Sequence, residues 1–467
     1  MTVVDALRAA LGDAVSTDDS ALESARSDKS GFVSRGRPLA VVAARSIDDV
    51  QETLRIASEH GTPVVTRGAG TGLAGGGTAG EGEIVLSMLG LNRILEVSTA
   101  DELAVVQPGV INGDLNAHLG QFGYWFAPDP ASRAISSVGG NIATNAGGLL
   151  CAKYGVTREA VLGLVVVLAD GTLLRLGRRS VKGVTGLDLT SLFIGSEGTL
   201  GVIVEATVRI RPRPRGNPAT ISAWFDDIDA ALQASADITA TGIVPSIMEL
   251  LDSQSVSIIA AHWAAGAAEA AEHGTEVSDA LFTGAVHLLV QVDGGSTAAD
   301  ASELVKVIEA NRGRATVTID PDAAERMLAV RRSFHPALER LGTVLIEDVC
   351  VPRSALPDMF RQIARLEERF GLRIPTVAHA GDGNLHPNFI VDSADGIDTV
   401  PEKVWEAAGE LFRAALALGG TLTGEHGVGL LKKRWLGEEL GDEQLRVQRE
   451  IKTVFDAQGI LNPGKVF

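Results

Sequence analysis

Residues 67–77 read RGAGTGLAGGG, and the fold turns on how this stretch is taken. It holds a G-x-G-x-x-G pattern at Gly70, Gly72 and Gly75, with Glu96 about 20 residues further on, as in a dinucleotide-binding βαβ unit. Such a unit needs a helix directly after the glycines, its N-terminus aimed at the pyrophosphate. Here the chain continues GTAGEGEIVLSM, turn-like and then strand-like. The Rossmann reading is therefore rejected. The glycines still let backbone N–H groups approach an anion closely and form a nest. Apart from Arg67 the stretch carries no charge, which disfavours a loop that merely waves in solvent.

Upstream, residues 39–66 read strand, helix, strand: LAVVAA, SIDDVQETLRIASEHG, TPVVTR. Ser46 with Asp49 resembles a capping box, and Gly61 stops the helix. Downstream come two more stretches rich in small residues, APDPASRAISSVGGNIATNAGG at 127–148 and LFIGSEGTLGVI at 192–203. Neither packs a core unaided, and with the first they suit one extended, buried ligand. VLGLVVVLADGTLLRLG (161–177) reads as a hairpin turning at Asp170-Gly171. RIRPRPRGNP (209–218) is a Pro/Arg break and marks a domain boundary. Beyond it strands and long helices alternate: ATISAWF before DIDAALQASADITATG, AVHLLVQVDG before TAADASELVKVIEANRG, then RATVTID. This reads as an α+β sandwich with helices on one sheet face.

The chain has 467 residues, 45% hydrophobic and 21% charged, with 53 glycines, so it is globular and loop-rich. Its 41 basic and 59 acidic residues leave a net charge of −18. That makes the chain a poor candidate for binding nucleic acid or an anionic membrane surface, and the charge is read as serving solubility. Two distant cysteines, Cys151 and Cys350, suit a reducing cytosol rather than a disulfide framework. The N-terminus has helical spacing at Val4, Leu7 and Leu11 and no signal-peptide pattern. No run reaches the ~20 apolar residues of a membrane span, so localisation is expected to be cytoplasmic or peripheral at the inner membrane face.

Seven motifs in order, RGAGTGLAGG, PDPASRAISSVGGNIATNAGG, LFIGSEGTLGVI, EDVCVPRS, HAGDGNLHP, TGEHGVG and LNPGK, resemble the FAD-linked D-lactate dehydrogenase / glycolate oxidase group of vanillyl-alcohol-oxidase-like flavoproteins. The likeness runs over residues 27–467. It implies an α+β chain: a two-lobed FAD-binding domain of the vanillyl-alcohol-oxidase type over 1–215 (core 37–213), an α+β cap domain over 216–450, and a 451–467 segment returning to the FAD domain. It implies that Arg67, Gly68, Ala69, Gly70, Thr71, Gly72, Gly75 and Gly76 wrap the pyrophosphate. Pro128, Asp129, Ser132, Ser136, Ser137, Gly139, Gly140, Asn141, Asn145 and Gly147 would run along the cofactor. Glu197, Gly201 and Ile203 would lie near adenine and ribose, and Asn462 in the tail would return to the flavin. Relatives that attach FAD covalently often use a histidine in the first loop; this loop has none, so FAD is expected to be non-covalent.

TVAHAGDGNLHPN (376–388) carries two histidines seven apart. With a turn at Gly381-Asp382-Gly383-Asn384, His379 and His386 come out directly opposed, with Cβ atoms ~5 Å apart. Asn388 shares their face. On spacing alone this suits a hydrogen-bonded pair or two imidazoles sharing one ion equally well. GGTLTGEHGVG (419–429) adds Glu425 and His426, which can face one cavity only if the glycines turn the backbone. Two histidines and a glutamate form an open set for a divalent ion, Zn, Mn or Fe, leaving His426 as a base. The resemblance implies the same division, and aligns Arg331 with the substrate arginine.

The implied reaction is oxidation of a short D-2-hydroxy acid, D-lactate foremost and glycolate next, to the 2-oxo acid. Hydride would pass to flavin N5, the metal would polarise the hydroxyl, and His426 would take its proton. Arg331 and Asn388 would bind the substrate, Arg331 as a fork for its carboxylate. Relatives acting on D-2-hydroxyglutarate carry a lysine just before the D-x-x-x-P segment. Ile346 and Glu347 stand there instead, which argues against a second carboxylate. Leu328 replaces a family tryptophan. Pro245, Glu249 and Asp252 match a family segment and are taken as structural. A metallohydrolase would leave the glycine segments without a role, and a non-catalytic subunit would not need Glu425-His426. The electron acceptor stays open among a quinone, a cytochrome and an electron-transfer flavoprotein, as does a homodimer.

Overall fold

The structure is a computed structural model that describes residues 1–272, 282–391 and 396–467, without the side chains of 267–272. The chain divides into two compact units. The first takes residues 1–148, 154–213 and 425–467; the second takes 149–153 and 214–424.

The first unit opens with the helix Val3–Leu11, capped by the Thr2 hydroxyl on the Asp5 N–H. Its Val3, Ala6, Leu7 and Leu11 are buried, each large one contributing about 1.5–3 kcal/mol. They pack on a four-stranded sheet of β1 (Val15–Ser16), β2 (Ala40–Ala43), β3 (Val64–Arg67) and β4 (Ile84–Ser87), in the order β1-β2-β4-β3. β2, β4 and β3 are parallel, and the expected helix, Ile47–His60, makes the crossover. Ser46 caps it by accepting the Asp49 N–H; Asp49 in turn accepts the Arg45 N–H, so the box closes one residue earlier than expected. After Arg67 residues 68–83 run as turns and bends without a helix, and β4 follows.

A second sheet in this unit is antiparallel. It uses β5 (Ile94–Ser98) and β6 (Leu103–Val106), then, after the short β7 (Tyr124–Trp125), β8 (Val161–Val167), β9 (Leu173–Gly177) and β10 (Val202–Arg209). Its order is β5-β6-β10-β8-β9, and β7 pairs with β11 (Arg211–Pro212). The expected 161–177 hairpin is the β8–β9 pair, with Val167 opposite Leu173. A helix not foreseen from the sequence, Val138–Thr144, follows Ser137, whose hydroxyl accepts the Gly140 N–H. The chain enters this unit for the last time at Glu425, not at 451 as expected. The helix Leu436–Phe455 belongs to it: Phe455 packs edge-on against Phe193, and Lys452 donates to the Thr199 and Leu461 carbonyls.

The second unit is built on one antiparallel sheet. Its strands are β12 (Ala219–Phe225), β13 (Ile247–Leu251), β14 (Val286–Val292), β15 (Arg314–Thr318), β16 (Thr343–Ile346), β17 (Val349–Cys350), β18 (Thr376–His379) and β19 (Asn384–Val391). The order is β15-β12-β14-β13-β18-β19-β16, with β17 also on β19. Helices cover both faces, not one. On one face Trp224, Leu251, Val377 and Ile390 pack against Val256 and Ile259 of the helix Ser253–Glu272 and against Val330 and Phe334. On the other, Met248 meets Ser235 of the helix Ile228–Ala240. That is why every residue of β12 and β13 is buried, the polar Thr220, Ser222 and Glu249 included.

Candidate functional site

In the first unit the glycine loop is braced from within. Arg67 donates through Nη1 to the Gly77 carbonyl at 2.7 Å and through Nη2 to the Ser27 carbonyl at 2.8 Å. Its guanidinium thus shapes the loop that was expected to grip a pyrophosphate. Gly68 abuts the 137–148 segment so closely that a Cβ there would stand 2.3 Å from Ser137 Oγ. Leu430 N–H donates to the Ala74 carbonyl at 2.8 Å, bringing the TGEHGVG segment against the same loop.

Glu197 ties these pieces together. Its backbone is left-handed, φ 51°. Its carboxylate accepts the N–H groups of Val428 at 2.7 Å and Gly429 at 2.9 Å. Asn462 Nδ2 donates to the Glu197 carbonyl at 2.7 Å and the Gly76 carbonyl at 3.0 Å. Burial pushes the Glu197 carboxyl up to about 7, against the pull of those two N–H bonds. Arg67, Gly68, Gly76, Ser137, Glu197 and Asn462 are thus brought together. Asn141 instead bonds Ser136 and Asn112 and holds its own loop. The Asn145 side chain accepts the Arg158 N–H. Asp129 is buried, with Arg133 3.5 Å away. Ile203 lies in the core of the second sheet, and Gly201 backs onto Phe193.

The residues present fit an FAD. Thr66 Oγ1 and Asn462 Oδ1 are buried with no hydrogen-bond partner among the described residues, at the edge of the glycine loop. A polar cofactor would satisfy both, and the cost of leaving such groups unpaired favours its binding. In the TGEHGVG segment the heads of Glu425 and His426 lie 3.9 Å apart, so the backbone does turn both toward one side.

The second unit holds the histidine hairpin, and here the register needs correction. His379 pairs with Asn384, and His386 with Val377. The histidines are therefore diagonal neighbours, not directly opposed. The turn is four residues, Ala380 to Gly383, closed by the His379 carbonyl accepting from Asp382 at 3.2 Å and Gly383 at 3.0 Å. Gly383 supplies the required left-handed φ of 92°. The shift moves the centre of the hairpin but keeps both imidazoles on one face, since diagonal neighbours share a face as opposed ones do. Their ring centroids are 5.0 Å apart and nearly perpendicular. Asn388 is on that face and fully buried; its Nδ2 donates to the His386 and Pro375 carbonyls, and its Oδ1 has no partner among the described residues.

Glu249 joins this pair to Arg331. It stands on β13 beside His379, fully buried. Its Oε1 bonds His379 Nδ1 at 2.5 Å and its Oε2 accepts Arg331 Nε at 2.8 Å. Arg331 itself is buried at the end of the helix Pro321–Arg332. An acid inside an otherwise apolar strand was the available signal, because a buried carboxylate demands partners. Asp252 is structural as expected: it accepts the Ser255 and Thr376 N–H groups, and burial pushes it up to about 6. Asp348, fully buried, accepts the Thr423 hydroxyl at 2.9 Å and the Gly424 N–H at 2.7 Å. It therefore anchors the residue directly before Glu425.

A braced glycine loop with orphaned polar groups, in a unit of one mainly parallel and one antiparallel sheet, and a second unit whose antiparallel sheet bears a His/His/Arg cluster together suit a flavin-binding oxidoreductase. Two family models match the chain: FAD binding domain over residues 38–177, and FAD linked oxidases, C-terminal domain, over 216–466. The chain belongs to the FAD-linked oxidase family, and its relatives include proteins named glycolate oxidase subunit GlcD and D-lactate dehydrogenase. It is 41% identical to the GlcD protein of Bacillus subtilis (strain 168), over 92% of this chain and 89% of that one. It is 34% identical to a D-lactate dehydrogenase of Archaeoglobus fulgidus, over 91% and 90%. Among solved structures, p-cresol methylhydroxylase with substrate bound shares the fold, with a TM-score of 0.78 at 18% identity over 99% of this chain and 96% of that one. Among the described residues no helix is long and apolar enough to cross a membrane.

Proposed function

We propose that the chain oxidises a short D-2-hydroxy acid, D-lactate or glycolate, to the 2-oxo acid. The observation that carries this is the Glu249 bridge, which ties a buried arginine to one of two imidazoles on a single sheet face. With Glu249 on Nε, the terminal nitrogens of Arg331 are left to take a substrate carboxylate as a fork. Asn388 Oδ1 is a buried acceptor on the same face, suited to a substrate hydroxyl. When bound, non-covalent FAD supplies the acceptor for the hydride, and a divalent ion held by His379, His386 and Glu425 supplies a Lewis acid.

The ligand set is supported by its chemistry. Nδ1 of His379 is taken by Glu249, which leaves Nε2 as its donor. Glu425 follows Gly424, whose position Asp348 fixes. His426 takes the hydroxyl proton as the general base. The names of the relatives support the substrate class, and Ile346 and Glu347 disfavour a dicarboxylate. Electrons then pass to an external acceptor such as a quinone, a cytochrome or an electron-transfer flavoprotein.

Dye-linked turnover of the FAD-loaded protein with D-lactate, L-lactate, glycolate and D-2-hydroxyglutarate tests this reading. D-lactate or glycolate should have the highest kcat/KM. A clear preference for D-2-hydroxyglutarate, or no turnover of any of the four, would contradict it.

A further inference from the structure

We infer that Glu249 is a positioning residue that sets, through one carboxylate, both the tautomer of His379 and the aim of Arg331. The inference rests on the proposed metal and substrate roles of those two residues and extends them to a group that touches neither ion nor substrate.

Geometry carries it. β13 is the central strand between β14 and β18, and Glu249 sits opposite Leu289 on one side and His379 on the other. All five residues of the strand are buried. A carboxylate oxygen only accepts, so the hydrogen of His379 lies on Nδ1 and the lone pair on Nε2, as a ligating imidazole requires. The other oxygen fixes Arg331 at Nε and so orients its two terminal nitrogens. No solvent competes for either bond, since Glu249 is fully buried. A purely structural ion pair could be exchanged for other buried contacts without consequence for ligands. A positioning carboxylate could not.

Glutamine separates the two roles. Its amide places an accepting oxygen at only one of the two positions now held by Oε1 and Oε2, and the NH₂ at the other cannot accept, so Nδ1–H and Nε–H cannot both keep their present acceptors. Either His379 turns to the wrong tautomer or Arg331 loses its anchor. The experiment is a Zn²⁺ titration of the FAD-loaded protein against a chromophoric chelator, with KM and kcat for D-lactate, on wild type, Glu249→Gln and Glu249→Asp. Aspartate keeps the charge but is one methylene short of spanning both partners, so it serves if the glutamine variant does not fold. Flavin content and circular dichroism report folding. The expected result is a loss of Zn²⁺ affinity of about 10–100-fold together with a raised KM in either folded variant. Wild-type Zn²⁺ affinity in a folded variant would overturn the inference while leaving the site reading standing. No Zn²⁺ binding by wild type would overturn the metal reading and this inference with it.

Discussion

Glu197 and Val428, 231 positions apart in the chain, are joined by a 2.7 Å hydrogen bond from the Val428 N–H to the buried carboxylate. With Gly429 on the other oxygen, Glu197 holds the two residues that follow His426 and Gly427. The placement of the proposed base thus depends on an acid from the GSEG segment.

Replacing Glu197 by Gln leaves one of the two N–H groups without an acceptor, at a cost of about 1–3 kcal/mol. The predicted result is roughly tenfold lower kcat, about 1.4 kcal/mol in the barrier, with FAD still bound. Wild-type kcat in a folded, flavin-loaded variant would show that the clamp does not matter.

The same residue predicts a pH dependence. Burial raises the Glu197 carboxyl from its ordinary 4.5 to about 7. A raised folded pKa means that its contribution to stability is complete below the unfolded value and is lost as pH rises through the folded one. The unfolding free energy of wild type relative to Glu197→Gln should therefore fall from about pH 5 to about pH 7 and level off above. Urea midpoints of both proteins across this range measure it; a difference that is flat with pH contradicts it.

Asp348→Asn presents an NH₂ group where Asp348 now accepts either the Gly424 N–H or the Thr423 hydroxyl. The expected cost is about 1–3 kcal/mol of stability, accompanied by weaker retention of a divalent ion because the segment leading into Glu425 is loosened. Calorimetry and metal analysis of the purified variant read the two effects separately.

Asn462→Ala strands the carbonyls of Glu197 and Gly76 and removes Oδ1. FAD occupancy after gel filtration, taken from the visible flavin band relative to protein absorbance, should drop severalfold. Full occupancy would place the cofactor's contacts elsewhere.

Arg331→Lys keeps the charge but loses the planar fork. KM for D-lactate should rise by about 10- to 100-fold, in line with a charge-assisted pair of about 1.5–3 kcal/mol. An unchanged KM would remove Arg331 from the substrate site.

Local features were legible in the sequence because local forces set them. The 39–67 crossover, the 161–177 hairpin and a glycine loop lacking a helix follow from capping, periodicity and turn residues. The hairpin register was not legible, since the His379 carbonyl closes a four-residue turn whose length depends on its own hydrogen bonds. The second layer of helices was not legible, because Thr220, Ser222 and Glu249 interrupt the apolar runs of ATISAWF and IMELL although every residue of both strands is buried. The return of the chain at Glu425 was masked because the glycines around it read as site residues. Of the site, His379, His386, Glu425 and His426 stood out by type and spacing. Glu197 was singled out only through the family likeness and not as a clamp on Val428 and Gly429, and the roles of Glu249 and Asp348 were not legible, as their partners come from strands and loops far along the chain.

The central claim is that this flavoprotein takes a hydride from a short D-2-hydroxy acid. Anaerobic mixing of the FAD-loaded protein with D-lactate, L-lactate or glycolate, with no added acceptor, tests it most directly. The visible flavin band should bleach with D-lactate or glycolate, not with L-lactate, and bleaching should be slowed in His426→Ala. Flavin that stays oxidised with all three acids would contradict the account.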